Sequence, residues 1–574
     1  MKILLTAINA KYIHSNLAIY SLKACSGKYE DNIELAEFTI NNHKDYILEE
    51  IYKKHPDVLC MSCYIWNIDY VESITREFHK ICPQVPIWVG GPEVSYEVER
   101  FLEEHEYITG VMVGEGEDTF KEVCRHYVDG DIKLGQIKGL AIRTEDKQAL
   151  ITQPRCIMDM SQIPFCYDKM EDFSNRIIYY ESSRGCPFSC SYCLSSVDKT
   201  LRFRDLEMVK KELKFFMEQK VLQIKFVDRT FNCNHEHAME IWKFIKENDN
   251  GITNFHFEIS ADLINEEELA LMSDMRPGLI QLEIGVQSTN EVTIKEIHRT
   301  MKLDRLKEIV KKIQAGGNIH EHLDLIAGLP YEGYDSFKNS FDEIYELKPN
   351  QLQLGFLKIL KGSYMYEHAT EYGIVYHDKP PYEVLKTNWL NFDEVLKIKQ
   401  VEEMLEAYYN SGQFEITMKI LEKMFDSAFE MFALLGKFYE QNGYFGMNHS
   451  RIKRCEILLD FVRENNFEEK NIQILEESLI YDLYYRENCK SRPYWAVTVS
   501  KFKHMTHHYC KNGKLSHVEP FHYHFPGKKE KTIDVLPERQ TEPIWVLFDY
   551  ENRDPLDHQA FTKEVDWVKH LEKK

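Results

Sequence analysis

Cys186, Cys190 and Cys193 fall within Arg184-Gly185-Cys186-Pro187-Phe188-Ser189-Cys190-Ser191-Tyr192-Cys193, with three and then two residues between successive thiols. Thiolates spaced this closely can hold one face of a 4Fe–4S cube. A cube used only for electron transfer takes a cysteine on each iron, so three cysteines leave one iron open to a substrate or cofactor. An open iron means chemistry rather than storage of charge. A disulfide would pair two of the thiols, but nothing in the sequence points to an oxidising compartment. A structural zinc site asks for four ligands in paired Cys-x-x-Cys knuckles, and no second knuckle lies nearby. Gly185 and Pro187 make the segment a loop, and the apolar run Ile177-Ile178-Tyr179-Tyr180 ahead of it reads as a buried strand.

The elements that must position this loop follow it. From about residue 176 to 362, predicted strands start at Ile177, Ile224, Phe255, Leu279, His322 and Gln351, with helical segments between them. Six parallel strands with crossover helices make a partial (β/α)6 barrel, whose chemistry collects at the carboxyl ends of the strands. Those ends carry Asp228 to Asn232, Glu258 with Ser260, Gly285 to Ser288 with Gln287 among them, and Asp324 ahead of Gly328-Leu329-Pro330. An acid and an amide at Asp228 and Asn232 suit a cationic amino group. Helix capping or a buried ion pair is the competing use of Glu258 and Asp324.

The Cys-x3-Cys-x2-Cys spacing, the aromatic Tyr192 before the last cysteine and the strand-helix repeat behind it together resemble the radical S-adenosylmethionine (SAM) superfamily. The resemblance implies that the three cysteines are cluster ligands and that the amino and carboxylate groups of SAM chelate the open iron. One electron then cleaves the sulfonium to a 5'-deoxyadenosyl radical. It places Tyr192 near the adenine and Asp228, Glu258, Ser260 and Gln287 among the contacts to the rest of the cofactor. Arg299 resembles the basic residue that pairs with the methionine carboxylate, which a guanidinium grips bidentately. It also implies a small-molecule or peptide substrate, and a reductase, flavodoxin or ferredoxin as electron donor.

Residues 1 to about 140 alternate short apolar runs (Ile3 to Ile8, Val58 to Tyr64, Ile87 to Val89, Val111 to Val113) with helical stretches such as 69–82. This alternation predicts a doubly wound α/β domain whose ligands sit beyond the carboxyl ends of the strands. The loops there contain Asn9, Tyr12 and His14; Ser62 to Asn67; Gly90 and Gly91; and Glu115 and Gly116. Paired glycines let a backbone approach a ligand closely, although a tight turn explains them equally well. In strand order these loops resemble the cobalamin-binding domain that precedes many radical SAM enzymes. The resemblance implies cobalamin contacts from Asn9, Tyr12, Ser62, Gly90, Gly91, Glu115 and Gly116. The Asp-x-His-x-x-Gly motif that supplies a lower cobalt ligand is absent, and no aspartate stands two residues before His14. His14 therefore reads as a pocket residue, with cobalamin held without a protein histidine below or not held at all.

Residues 141–175 read as a connector containing Cys156 and Cys166, both expected to be structural. From 363 to 574 the chain reads as a mainly helical accessory domain, with helices over 392–410 and 416–443 and strands over 494–499 and 544–550. Met424 and Met431 belong to the packed face of that bundle. His504, His507, His508 and Cys510 crowd together, but without a Cys-x-x-Cys knuckle beside them a metal site is not expected. The region resembles an uncharacterised C-terminal domain found on some cobalamin-linked radical enzymes.

With 71 Lys and Arg against 93 Asp and Glu, the formal charge is −22, which argues against broad electrostatic binding to nucleic acid or anionic membrane. Lys528 to Lys531 read as a solvated loop. No apolar run reaches the length of a membrane span, and Met1 to Ile8 form a strand rather than a secretory signal. A reducing cytoplasm suits the 14 cysteines and an oxygen-sensitive cluster. The leading expectation is radical methylation of an unactivated carbon using a 4Fe–4S cluster, SAM and cobalamin. Its rivals are a cobalamin-free or non-methylating radical enzyme, catalysing rearrangement or cyclisation, and a non-catalytic iron–sulfur redox protein.

Overall fold

The computed structural model describes residues 1–144, 148–167, 173, 175–496, 515–525 and 532–565. Its N-terminal sheet has seven strands: β1 Ile3–Asn9, β2 Ile33–Thr39, β3 Val58–Ser62, β4 Ile87–Gly90, β5 Gly110–Met112, β6 Leu140–Arg143 and β7 Ala149–Ile151. Their spatial order is β2-β1-β3-β4-β5-β6-β7, parallel as far as β5. Neighbouring side chains of β1 point to opposite faces, and both faces are apolar. Ile3, Leu5 and Ala7 enter one core with the helices Leu17–Cys25 and Glu117–Val128; Leu4 and Ile8 enter the other with Lys44–Lys53 and Ile68–Ile81. The sheet is doubly wound, as the alternation predicts.

Two features depart from the sequence reading. β2 pairs with β1 in parallel although Ile33–Thr39 did not stand out, because its outward positions are only half-buried at the sheet edge. The segment expected as a connector supplies part of β6 and all of β7, so a boundary at 140 falls inside the sheet. Leu140, Ala141 and Ile142 are an apolar run that pairs antiparallel with β5 and covers what would otherwise be its open edge.

The second sheet is the barrel. A short strand, β8 Ile178–Tyr180, leads into a two-stranded ribbon, β9 Ser183–Arg184 and β10 Arg202–Phe203. The barrel continues through β11 Gln223–Phe226, β12 Asn254–Ile259, β13 Ile280–Gln287, β14 His320–Ala327 and β15 Gln351–Phe356. The six barrel strands are parallel and lie in chain order, with β8 and β15 at the two edges. β13 alternates buried Ile280, Leu282, Ile284 and Val286 with half-buried Gln281, Glu283, Gly285 and Gln287. The apolar set shares a core with Leu306, Ile309 and Val310 of the covering helix Leu303–Gly316, and the polar set faces the lumen.

The C-terminal region is mainly helical. Helix Phe392–Met404 widens into a π-helical turn, Leu405–Asn410. The stretch 416–443 is two helices, Glu415–Glu422 and Ala428–Gln441, the second capped by Ser427, whose hydroxyl accepts from Glu430 N at 3.1 Å. Asn410 accepts from Leu352 N at 3.0 Å and donates to Leu352 O at 2.7 Å, so it occupies backbone groups that edge strand β15 would leave open. Helices Arg451–Glu464 and Glu469–Arg486 follow, then an antiparallel sheet of Ser516–Phe521, Ile544–Arg553 and Ala560–Val565. Of the strand expected over 494–499, Tyr494 to Ala496 form a turn and the rest lie outside the described residues. His504, His507, His508, Cys510 and Lys528 to Lys531 also lie outside them. Among the described residues no helix is long and apolar enough to cross a membrane.

Candidate functional site at the interdomain cavity

The ribbon β9–β10 closes the base of the cysteine loop. Gly185 has φ +92°, and a Cβ there would stand 2.4 Å from the Thr200 carbonyl oxygen, so only glycine turns the chain into the loop. Cys186 N donates to Asp198 O at 3.0 Å, and Cys193 N to Cys190 O at 3.1 Å. Cys186 and Cys190 are buried and Cys193 half-buried, and all three thiols are free. Burial raises the Cys186 pKa, and neighbouring Cys193 and Cys190 add to the rise, so the three sulfurs share one electrostatic neighbourhood. Free, clustered thiols on a pinned loop are the donor set that a 4Fe–4S cluster requires.

Arg299 joins this loop to the barrel. Its Nη1 donates to Tyr192 Oη at 3.4 Å and lies 3.7 Å from Cys190 Sγ, while Nη2 donates to the Gly285 carbonyl. Gln287, at the end of β13, has φ +74° where the register slips between Gly285 and Gln287. Left-handed backbone of this kind is uncommon for a residue other than glycine. Gln287 Oε1 and Arg299 Nε are buried without a hydrogen-bond partner among the described residues, which fits a polar cofactor beside them. Gly285 keeps the space open, since a Cβ on it would meet Gln287 Nε2 at 2.3 Å.

The other strand-end residues divide. Glu258 faces the cavity 3.9 Å from Lys225 Nζ, and burial, with Glu283 adding to it, pushes its pKa up to about 7. Ser260 donates its hydroxyl to Asp262 at 2.7 Å and its backbone N to Asn232 Oδ1 at 2.9 Å. Asp228 is committed elsewhere. One oxygen accepts from the Ser182 and Ser183 hydroxyls, each at 2.6 Å, and the other from Ser182 N at 3.0 Å. It holds the turn ahead of the cysteines rather than a cationic ligand, and burial raises its pKa to about 6. Asp324 lies in the lumen near His322, 3.4 Å away.

A cavity of about 770 Å³ lies where the carboxyl-end loops of the two sheets face each other. Asn9, His14, Tyr64, Trp66, Glu93 and Glu117 line it from the N-terminal domain; Tyr179, Glu181, Arg184, Leu194, Lys225 and Glu258 line it from the barrel. Tyr64 and Trp66 stack with ring centroids 4.4 Å apart, and Trp66 Nε1 donates to Ile8 O at 3.0 Å. His14 is a pocket residue, as expected. Its Nδ1 is 2.7 Å from Tyr179 Oη, and burial lowers its pKa.

Several expected cobalamin contacts have other work. Tyr12 is 65% exposed beneath Arg176, off the cavity, because the loop turns outward after Asn9, whose amide donates to His14 O at 3.2 Å. Gly91, at φ +123°, is needed where a Cβ would sit 2.4 Å from the Cys63 carbonyl oxygen, and Gly90 O accepts from Cys63 N at 2.7 Å. Gly116 packs against Leu22. Glu115 bonds Arg202 at 2.6 Å and Arg184 at 3.2 Å, and Glu117 bonds Arg184 at 2.8 Å, clamping the N-terminal domain to the ribbon under the cysteine loop. Ser62, paired with Gly90 at the end of β3, keeps a buried hydroxyl without a partner among the described residues, which leaves it for a ligand. The sequence reading missed Lys225, Glu283, His322, Arg184 and Glu117. The alternation in β13 and β14 was the available signal for the lumen residues, while nothing local marked the clamp.

Comparison with known proteins agrees with this layout. Residues 3–124 match a B12 binding domain, residues 180–344 the radical SAM superfamily, and residues 370–535 a protein of unknown function, DUF4080. The chain is 24% identical to the cobalamin-dependent radical SAM methyltransferase TokK of Streptomyces tokunonensis over 51% of this chain and 45% of that one. The chain thus spans less than half the length of that relative. Among solved structures it resembles OxsB, a cobalamin-dependent S-adenosylmethionine radical enzyme with aqua-cobalamin bound (TM-score 0.59, 16% identity, 84% of this chain and 80% of that one). It also resembles the radical S-adenosylmethionine methyltransferase TsrM of Kitasatospora setae with cobalamin and a [4Fe-4S] cluster bound (TM-score 0.55, 17% identity, 67% and 79%). At these identities the likeness concerns the fold.

Proposed function

For a chain that carries a B12-binding domain, a radical SAM domain with its 4Fe–4S cluster and SAM, and a DUF4080 domain, we propose radical methylation of an unactivated carbon on a small molecule or peptide. The cavity carries this reading, because it is bounded by strand-end loops of both cofactor domains and reaches Arg184 and Leu194 on either side of the cysteines. Cys186, Cys190 and Cys193 hold the cluster. Tyr192, Gln287, Arg299, Glu258 and Ser260 hold SAM, and Asn9 and Ser62 hold cobalamin, while Gly90 and Gly91 shape the turn beside them. Asp228, Glu115 and Gly116 position these loops. The cofactors supply reductive sulfonium cleavage, hydrogen abstraction from carbon and delivery of methyl, which no side chain can perform.

The chain contributes placement and exclusion of water. Arg299 links the cysteine loop to β13, which sets the cluster site against the SAM site. The Glu115–Arg202 and Glu117–Arg184 pairs fix the distance between the two domains. Electrons come from a reductase, flavodoxin or ferredoxin. The Asp-x-His-x-x-Gly motif is absent, and the pocket histidine His14 meets Tyr179 Oη through Nδ1 at 2.7 Å. The direct test is anaerobic incubation of cluster- and cobalamin-loaded enzyme with SAM and a chemical reductant. Formation of both 5'-deoxyadenosine and S-adenosylhomocysteine supports the reading; absence of both overturns it.

A further inference from the structure

Deeper in the barrel than the strand-end residues lies a second set of metal-competent side chains. Glu283 on β13 pairs in register with His322 on β14, and Asp324 follows two residues later on the same face. One ligand atom from each of the three lies within 4.8 Å of the others. His322 is 7% exposed, and its Nε2 has no hydrogen-bond partner among the described residues; Asp324 Oδ1, 3.4 Å away, has none either. Lys225 Nζ at 2.9 Å and His256 Nε2 at 3.0 Å both meet the same oxygen of Glu283, Oε2, so its other oxygen remains available as a donor. Glu258 and Glu283 share Lys225, and Asp324 lies beside them with Arg299 near it and Arg229 near Glu258.

We propose that Glu283, His322 and Asp324 bind a divalent first-row metal ion such as Mn²⁺ or Zn²⁺, separate from the cysteine-held cluster. An imidazole and two carboxylates suit such ions. Donors on one ion at roughly 2.1 Å lie about 3 to 3.5 Å apart, the spacing that His322 Nε2 and Asp324 Oδ1 already have. Glu283 closes the set by a side-chain rotation. Three protein donors leave coordination positions open, as catalytic metal sites do. Those positions face a lumen whose Lys225 and Glu258 line the cavity, and they suit an oxygen donor of the substrate.

The test uses cluster- and cobalamin-loaded enzyme dialysed against Mn²⁺ or Zn²⁺, with metal content measured by mass spectrometry and Mn²⁺ affinity by electron paramagnetic resonance titration. Wild-type enzyme is expected to retain one equivalent of one of these metals. His322→Gln and Asp324→Asn should each bind it at least tenfold more weakly while keeping the cluster and cobalamin absorbance of the wild type. Glu283→Gln provides a third readout should either variant lose its cluster. Absence of stoichiometric Mn²⁺ and Zn²⁺ from wild-type enzyme, or undiminished binding in the variants, overturns the proposal. Neither measurement depends on turnover, so the result is independent of the methylation reading.

Discussion

The two parallel sheets use their strands differently. In the N-terminal sheet all seven residues of β1 and all five of β3 are buried, because helices cover both faces; a ligand can be reached only from the loops beyond the strand ends. In the barrel every second residue of β13 faces the lumen, so chemistry can run down the strand from Gln287 through Gly285 to Glu283. At Gly91, where the turn accommodates the Cys63 carbonyl, a substitution should act on stability. One on the lumen face of the barrel should act on activity and carry a stability cost that depends on charge.

The strongest test of the barrel side is Cys193→Ala, expected to abolish cluster absorbance and 5'-deoxyadenosine formation while leaving cobalamin bound. A variant that kept its cluster would detach the cysteine loop from the chemistry. On the N-terminal side, Gly91→Ala forces a Cβ against the Cys63 carbonyl at φ +123° and should cost about 3 kcal/mol in thermal or denaturant melts. If it instead melts like wild type and releases cobalamin, the glycine serves the ligand and not the turn. Arg299→Lys keeps the charge but loses the fork that reaches Gly285, Tyr192 and Cys190. About 2 kcal/mol is expected, seen as a lower melting temperature together with weaker SAM binding.

The smallest effect concerns Glu258, whose pKa stands at about 7 against an ordinary 4.5. A carboxyl that holds its proton longer when folded stabilises the fold below pH 4.5, and this is lost as pH rises to about 7. Discounted for partial exposure, about 1 kcal/mol is involved. Glu258→Gln should match wild type near pH 4.5 and melt higher near pH 7.5 in the absence of SAM. Parallel melting curves at both pH values would remove the charge cost assigned to the lumen.

Much of this molecule was legible in sequence because the controlling interactions are local. The spacing of Cys186, Cys190 and Cys193 lies within one loop, and strand periodicity is set by neighbours two residues apart. Both sheets were legible this way, as was the absence of a lower-ligand motif around His14. The partners of charged side chains were not. Asp228 resembled a cofactor contact and is instead filled by Ser182 and Ser183; Glu115 resembled a ligand contact and is clamped by Arg184 and Arg202. Gly91 invites a ligand-approach reading, but it accommodates the Cys63 carbonyl of the chain itself.

Sequence alone thus determined the close spacing of the three thiols and the two α/β architectures, since spacing and periodicity are properties of a continuous chain. The cavity, the Glu115 and Glu117 clamp and the Glu283–His322–Asp324 set exist only once strands distant in sequence stand side by side. Tertiary structure decided them, because hydrogen bonds and charge pairs act through a few ångströms of space whatever the separation along the chain.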